Sequence, residues 1–461
     1  METIIHRCST IKYMTKNVII LDIVGLEHDH LNSGLLPNIL QIANEGESAK
    51  MEPVFPSVTC TVQASILSGN YPDQHGIISN GLYDKTNYAV SFWEQSSRLV
   101  HADRVWDIAK RKNPSIKTAT LFFQNTMFAN SDVIVTPRPL HMEEGMITWC
   151  YSKPVGYYDE ELIRNLGEFN LGSYWGPFAS SKSSEWIVKA AEYTLEKQRP
   201  DLMFLYVPHL DYSAQRFGKN SSQVRDDLKK ADELLGRIVQ KTMELGINQD
   251  TQFIILSEYG FNDVRNAIPL NLKLRDSGLL AVRTINGKEY IDYENSKAFA
   301  MVDHQIAHVY IKEDFRDKTK SVLANVQGVE KIIVSSKEKK ELRIDNERTG
   351  DIIAISDRDK WFSYYWWYIP EKAPNFSRTV DIHRKPGYDP LELFLDPATK
   401  SIPHDQTLVK GSHGRPADPV SGEGLSFYAS NKKSGLLTNN SGVNDPINCV
   451  NIGKHLIDMV S

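Results

Sequence analysis

The sequence predicts an α/β fold built on a mostly parallel sheet sandwiched by helices. Three observations point there. Residues 17–24, NVIILDIV, form a continuous apolar run of strand length holding a single acid, the pattern of a parallel strand buried on both faces. Residues 202–257 read as strand, amphipathic helix and strand, a β-α-β unit that requires parallel pairing with a right-handed crossover. Polar, ligand-type residues follow three separate strands, at Asp22, at His209 to Gln215 and at Glu258 to Gly260, and so collect at one edge of one sheet.

Composition bounds the rest. A chain of 461 residues with 41% apolar residues supports one large α/β domain with a sizeable insertion, or two domains. With 53 basic and 58 acidic residues the net charge is -5, which gives no global field for a nucleic acid polymer, so anion binding must be local. Cys8, Cys60, Cys150 and Cys449 are scattered without C-x-x-C spacing, which suggests neither a disulfide framework nor a zinc ribbon and favours a reducing, cytoplasmic setting. Residues 1–16 read as an N-terminal extension lacking an apolar run of signal-peptide length, and no stretch reaches the length needed to span a bilayer, so no membrane partner is expected.

In chain order, Leu36 to Gly46 reads as a helix stopped by glycine. Residues 55–84 come next: Pro56 closes an extended entry, Thr59 reads as the N-cap of a short helix through Ser68, and Gly69 ends it. Free backbone N–H groups gather at such a helix start, so a hydroxyl there can attack phosphorus while amides hold the phosphoryl oxygens. A helix is expected over Val105 to Lys112 and a strand over Thr118 to Phe123, with Phe122 to Thr126 lining a pocket. Pro137 to Gly176, rich in Gly, Pro and aromatic residues, is too long for a plain connection and reads as a lid or substrate-side insertion. The β-α-β unit then supplies strands at Leu202 to Val207 and Gln252 to Ser257, with a serine-capped helix between them over Ser221 to Val239. Residues 298–334 read as strand, charged helix and strand, and Trp361 to Tyr368 as an aromatic core strand. A terminal helix closes the chain.

Residues 55–84 resemble the nucleophile segment of the nucleotide pyrophosphatase/phosphodiesterase branch of the alkaline phosphatase superfamily. The elements that match are Thr59, Gly69 to Pro72, His75 to Ile77, and Asn80 with Leu82, Tyr83 and Asp84. The resemblance implies an alkaline-phosphatase-like core at 17–297 and 405–461, with a smaller α+β cap at 298–404. It also implies hydrolysis of a phosphodiester or pyrophosphate bond in a small phosphate ester or nucleotide-like substrate, through a phospho-threonine on Thr59. Asn80 and the Cys60 backbone N–H would hold the equatorial oxygens. A phosphonate or phosphomonoester hydrolase with the same machinery, or a binding protein with a degraded metal site, is the alternative, and homo-oligomers are possible.

The resemblance further implies two divalent cations, zinc foremost, with manganese or magnesium as substitutes. One would be held by Asp22, Thr59 and Glu258, the other by Asp211 and His413. The chain departs from the family pattern at two places, because Tyr259 and Gln215 stand where the pattern has histidines, and both are poor replacements for an imidazole on zinc. His209 and His304 are the histidines expected to fill in. His209 is favoured because residues two apart on an extended segment point the same way as Asp211. His308 and His75 read as packing residues, and Asp381 and His383 are left without a role.

Overall fold

A computed structural model describes residues 17–142, 145–437 and 445–460; the extension read over residues 1–16, with Cys8, lies outside them. Its centre is a nine-stranded sheet. From one edge to the other the strands are Ile447–Asn448, Glu47–Glu52, Ser426–Ser430, Thr251–Leu256, Asn17–Ile23, Leu202–Val207, Thr118–Leu121, Val133–Pro137 and Cys150–Lys153. The five strands from Thr251–Leu256 to Val133–Pro137 pair in parallel throughout. Ser426–Ser430 and Cys150–Lys153 flank them antiparallel.

Leu202–Val207 and Thr251–Leu256 are wholly buried, as a parallel strand covered on both faces must be. The covering helices fall into two packed groups: Pro37–Glu45, Ser181–Lys197 and Ser222–Glu244 in one, Thr59–Ser68, Val105–Lys112 and Cys449–Met459 in the other. Register carries the consequence for function. Asp22 pairs with Tyr206 on one side and Leu256 on the other, so the residues just past each of these strands emerge at the same edge.

A second, four-stranded antiparallel sheet runs Ala298–Asp303, Ile306–Ile311, Ile352–Ser356 and Val329–Ile333. The stretch from Ala298, read from sequence as one strand, is a hairpin that turns at His304 and Gln305. His304 takes φ +59, which a short polar side chain tolerates at a tight turn. The polarity of D-H-Q inside an apolar run was the available signal. The aromatic run is a strand only over Lys360–Ser363, but Trp361, Tyr364 and Trp366 are all buried in the apolar cluster beneath the second sheet.

Two local readings change. Thr59 is the first residue of its helix, with Val58 as N-cap, so the hydroxyl sits one position further into the turn. Pro137 to Gly176 is not simply loop: it carries the hairpin Leu140–Met142 with Gly145–Ile147, the edge strand Cys150–Lys153 and short helical turns. Among the described residues no helix is long and apolar enough to cross a membrane.

Candidate active site

The edge where the parallel strands end opens into a cavity of about 600 Å³. Thr59, Asp211, Gln215, Tyr259 and His304 line it, along with Trp93, Tyr174, Trp175, Tyr206 and Tyr388. Asp22 and Glu258 lie buried beneath, close to each other and to the Thr59 hydroxyl. The cleft thus brings together Asp22, Thr59, Asp211, Glu258, His304 and His413 from segments far apart in the chain.

On one side of Thr59, Gln63 organises the two carboxyls. It stands four residues after Thr59, on the same helix face. Its Oε1 accepts from the Gln124 N–H at 2.7 Å, which fixes the amide so that Nε2 donates to Glu258 Oε1 at 2.7 Å and to Asp22 Oδ2 at 3.4 Å. Asp22 Oδ1 and Glu258 Oε2 are left buried without a partner among the described residues. Burial, then the Glu258 charge, holds the Asp22 carboxyl well above its ordinary range, and burial pushes Glu258 up to about 7. Two carboxyls this close cannot both ionise without a proton or a cation to balance them.

On the other side, Asp211 is satisfied. It belongs to the first turn of the helix His209–Phe217, and its Oδ2 accepts from Gln215 Nε2 at 2.6 Å, one turn on. Its Oδ1 accepts from the Tyr259 hydroxyl at 3.2 Å. Tyr259 is itself 3.1 Å from Thr59 Oγ1, so hydroxyls form a chain from Thr59 through Tyr259 to Asp211. Burial raises the Asp211 carboxyl to about 6. The Tyr259 ring stacks on His413 with centroids 3.5 Å apart and planes 9° off parallel. His413 Nδ1 donates to the Ser57 carbonyl at 2.7 Å, which leaves Nε2 bare, buried and 3.9 Å from Asp211 Oδ1.

His209 does not join this cluster, and the expectation that it would is corrected. The segment is helical, not extended, so residues two apart diverge by about 200° around the axis. The His209 ring bonds Ser184 Oγ at 2.8 Å and the Asp227 carbonyl at 3.1 Å instead. His304 does reach the site: Asp303 Oδ1 accepts from its Nδ1 at 2.7 Å, its ring stacks on Tyr388 at 3.7 Å, and it lies 3.8 Å from the His413 ring.

The two groups assigned to the phosphoryl oxygens are bonded to each other. The Cys60 N–H donates to Asn80 Oδ1 at 2.9 Å, and Asn80 Nδ2 donates to Asp303 Oδ1 at 3.1 Å. Asp303 also accepts from Ser79 Oγ at 2.7 Å and the Asn80 N–H at 2.8 Å; burial works to raise its carboxyl, but His304 foremost, and then these bonds, hold it low. The Cys60 thiol is no rival nucleophile, because burial and nearby carboxylates push its ionisation well above the usual thiol range. Sequence reasoning missed Gln63, whose signal was its spacing of four from Thr59. It also missed Tyr388, whose hydroxyl donates to Gln215 Oε1 at 2.8 Å and which no motif marked. Asp381 and His383 line the cavity wall, where His383 Nδ1 donates to the Phe92 carbonyl at 3.1 Å.

The implied cations meet this geometry unevenly. For the first, the oxygens of Asp22, Glu258 and Thr59 fit, since two buried carboxylate oxygens stand orphaned there. The set implied for a second does not fit: both Asp211 oxygens already accept hydrogen bonds, and its neighbours are a phenol and an amide. Among the described residues no group of three or more His, Cys, Asp or Glu side chains is placed to hold a metal ion.

A mostly parallel sheet presenting a helix-borne threonine among buried carboxylates is the arrangement of the alkaline phosphatase superfamily. Within it, the chain belongs to the type I phosphodiesterase / nucleotide pyrophosphatase family, whose sequence profile matches residues 18–389. It is 23% identical over 256 residues to an uncharacterised pyrophosphatase/phosphodiesterase of Schizosaccharomyces pombe, covering 53% of this chain and 44% of that protein. It is 26% identical over 247 residues to ectonucleotide pyrophosphatase/phosphodiesterase family member 1 of Rattus norvegicus, covering 52% of this chain and 23% of that one. The chain therefore spans less than half the length of these relatives. In fold it is similar to phosphonoacetate hydrolase of Sinorhizobium meliloti in complex with phosphonoformate, with a TM-score of 0.62, 15% identity and 97% of both chains covered. It is also similar to an inactive form of murine ectonucleotide pyrophosphatase/phosphodiesterase 5 in complex with AMP, with a TM-score of 0.60, 14% identity and 96% and 95% of the two chains covered.

Proposed function

We propose that the protein hydrolyses a phosphodiester or pyrophosphate bond in a small, nucleotide-like substrate, with Thr59 as nucleophile. The observation that carries this reading is the Thr59 hydroxyl, set at a helix start on the cavity wall and close to a buried carboxyl pair that needs a proton or a cation. Asp22, Glu258 and Thr59 would hold a divalent cation, which would supply charge neutralisation and lower the pKa of the hydroxyl. The chain's own groups do the rest. Thr59 Oγ1 bonds to phosphorus as the bond to the leaving oxygen breaks, and the hydroxyl proton has a path through Tyr259 to Asp211. Water then attacks the phospho-threonine, the Oγ1–phosphorus bond breaks, and Oγ1 regains a proton.

The cavity supports the substrate class. Trp93, Trp175 and Tyr388 offer aromatic faces for a planar group, and Arg378 and Lys400 are cations for a second phosphate. The test is a panel of nitrophenyl esters with mass spectrometry of the acid-quenched enzyme. The expected result is turnover of a nitrophenyl phosphodiester above that of the monoester and the phosphonate, with phosphate trapped on Thr59. Preference for the phosphonate would shift the reading to the alternative chemistry, and no turnover of any ester would leave a binding protein.

A further inference from the structure

We propose that this chain holds one divalent cation, on the oxygens of Asp22, Glu258 and Thr59, and that the Tyr259 hydroxyl and the Gln215 amide have taken the place of a second. The inference rests on the family reading of the site but not on turnover.

The two sides of Thr59 differ in how their carboxylates are satisfied. Gln63 binds the inner oxygens of the pair, Asp22 Oδ2 and Glu258 Oε1, and leaves Asp22 Oδ1 and Glu258 Oε2 buried and bare. Two adjacent buried carboxyls with orphaned oxygens need a proton or a cation, and a donor set made only of oxygens suits a hard cation such as magnesium or manganese better than zinc.

Asp211 has no such vacancy. Each of its oxygens accepts from a neutral donor, and each donor is fixed from behind. Tyr388 donates to Gln215 Oε1, which forces the Gln215 Nε2 toward Asp211. His413 stacks on Tyr259 and holds its hydroxyl between Thr59 and Asp211. A cation entering there would break two buried hydrogen bonds, and among the described residues His413 and His304 form with Asp211 no group placed to hold a metal ion. The phenol and the amide thus supply with hydrogen bonds what a second ion would supply with charge.

The experiment measures cation content, not activity. The chelator-stripped full chain is titrated with manganese and, separately, with zinc, by calorimetry and by metal analysis after gel filtration. One equivalent of manganese per chain is expected, with zinc no tighter. Asp22→Asn should weaken manganese binding at least tenfold, whereas Asp211→Asn should leave the stoichiometry at one. The double substitution Gln215→His with Tyr259→His should raise it to two. Two equivalents in the unmodified chain, none at all, or a stoichiometry lowered by Asp211→Asn would each overturn the proposal. Should the double variant fail to fold, as read by its thermal melt, the Asp22→Asn and Asp211→Asn pair still decides. A chain with one equivalent and no turnover would uphold this inference and sink the proposed hydrolysis; an active chain with two would do the reverse.

Discussion

The two sides of Thr59 start from similar material: buried acid on each, and a glutamine one helical turn from a key residue. Gln63 stands one turn from Thr59 and Gln215 one turn from Asp211. They end in opposite states. On the Gln63 side one amide serves two carboxyls and two oxygens stay bare; on the Gln215 side an amide and a phenol serve one carboxyl and none is left. The difference teaches that a carboxylate's appetite for metal is set by the count of competing donors as much as by its own charge. A sequence alignment that scores only ligands cannot see that count.

Breaking the comparison at its pivot should have the largest effect. Thr59→Ala removes the hydroxyl shared by both sides, and turnover is expected to fall by roughly 10³-fold or more, read as initial rates on the best ester. If the variant kept a tenth of the rate, Thr59 would not be the nucleophile.

Tyr259→Phe acts on one side alone. It keeps the ring that stacks on His413 but removes the link between Thr59 and Asp211. A kcat loss of about 10²-fold with KM little changed is expected, the lower end of what one proton-transfer partner contributes. An equal loss in a Thr59-independent binding assay would mean that the phenol only shapes the pocket.

A smaller effect sharpens the comparison at its margin. His209 sits two residues from Asp211 yet bonds Ser184 and the Asp227 carbonyl. His209→Ala should therefore cost about 1–3 kcal/mol of stability, seen as a lower midpoint in urea, with manganese content unchanged. A fall in metal content would return His209 to the site.

Acid stability tests two histidines that do not line the cavity. His75 and His308 are buried, and each Nδ1 accepts a backbone N–H, from Ile77 and Gly350. Burial lowers their pKa values to about 3 and about 4 from an ordinary 6.5. Below pH 6.5 the unfolded chain binds protons that the folded chain refuses. Stability is therefore complete above that pH and lost as pH falls toward 4, on the order of 3 kcal/mol for His308 alone. His308→Gln should flatten this dependence in thermal melts from pH 7 to 4; an unaltered slope would place the acid lability elsewhere.

The parallel sheet was legible because a β-α-β pattern leaves few other topologies, and the strand-end positions of Asp22 and Glu258 came with it. Thr59 and His413 were legible through motif spacing. The helix at His209 was not, since PHLDY offers no cap signal and the strand runs almost directly into it. The hairpin at His304 was hidden by its apolar flanks, which read on as one strand. Gln63 and Tyr388 escaped because an amide and a phenol carry no metal-ligand signature, although they decide which carboxylate oxygens remain free.

Asp303 grips the nucleophile loop. Its carboxylate, at the tip of the first hairpin of the second sheet, collects Ser79 Oγ, the Asn80 N–H and Asn80 Nδ2. Removing that hairpin would strand three buried donors beside Thr59 and Cys60. The hairpin is thus tied to the loop that carries Asn80, and a chain without this carboxylate needs another acceptor for the same three hydrogens.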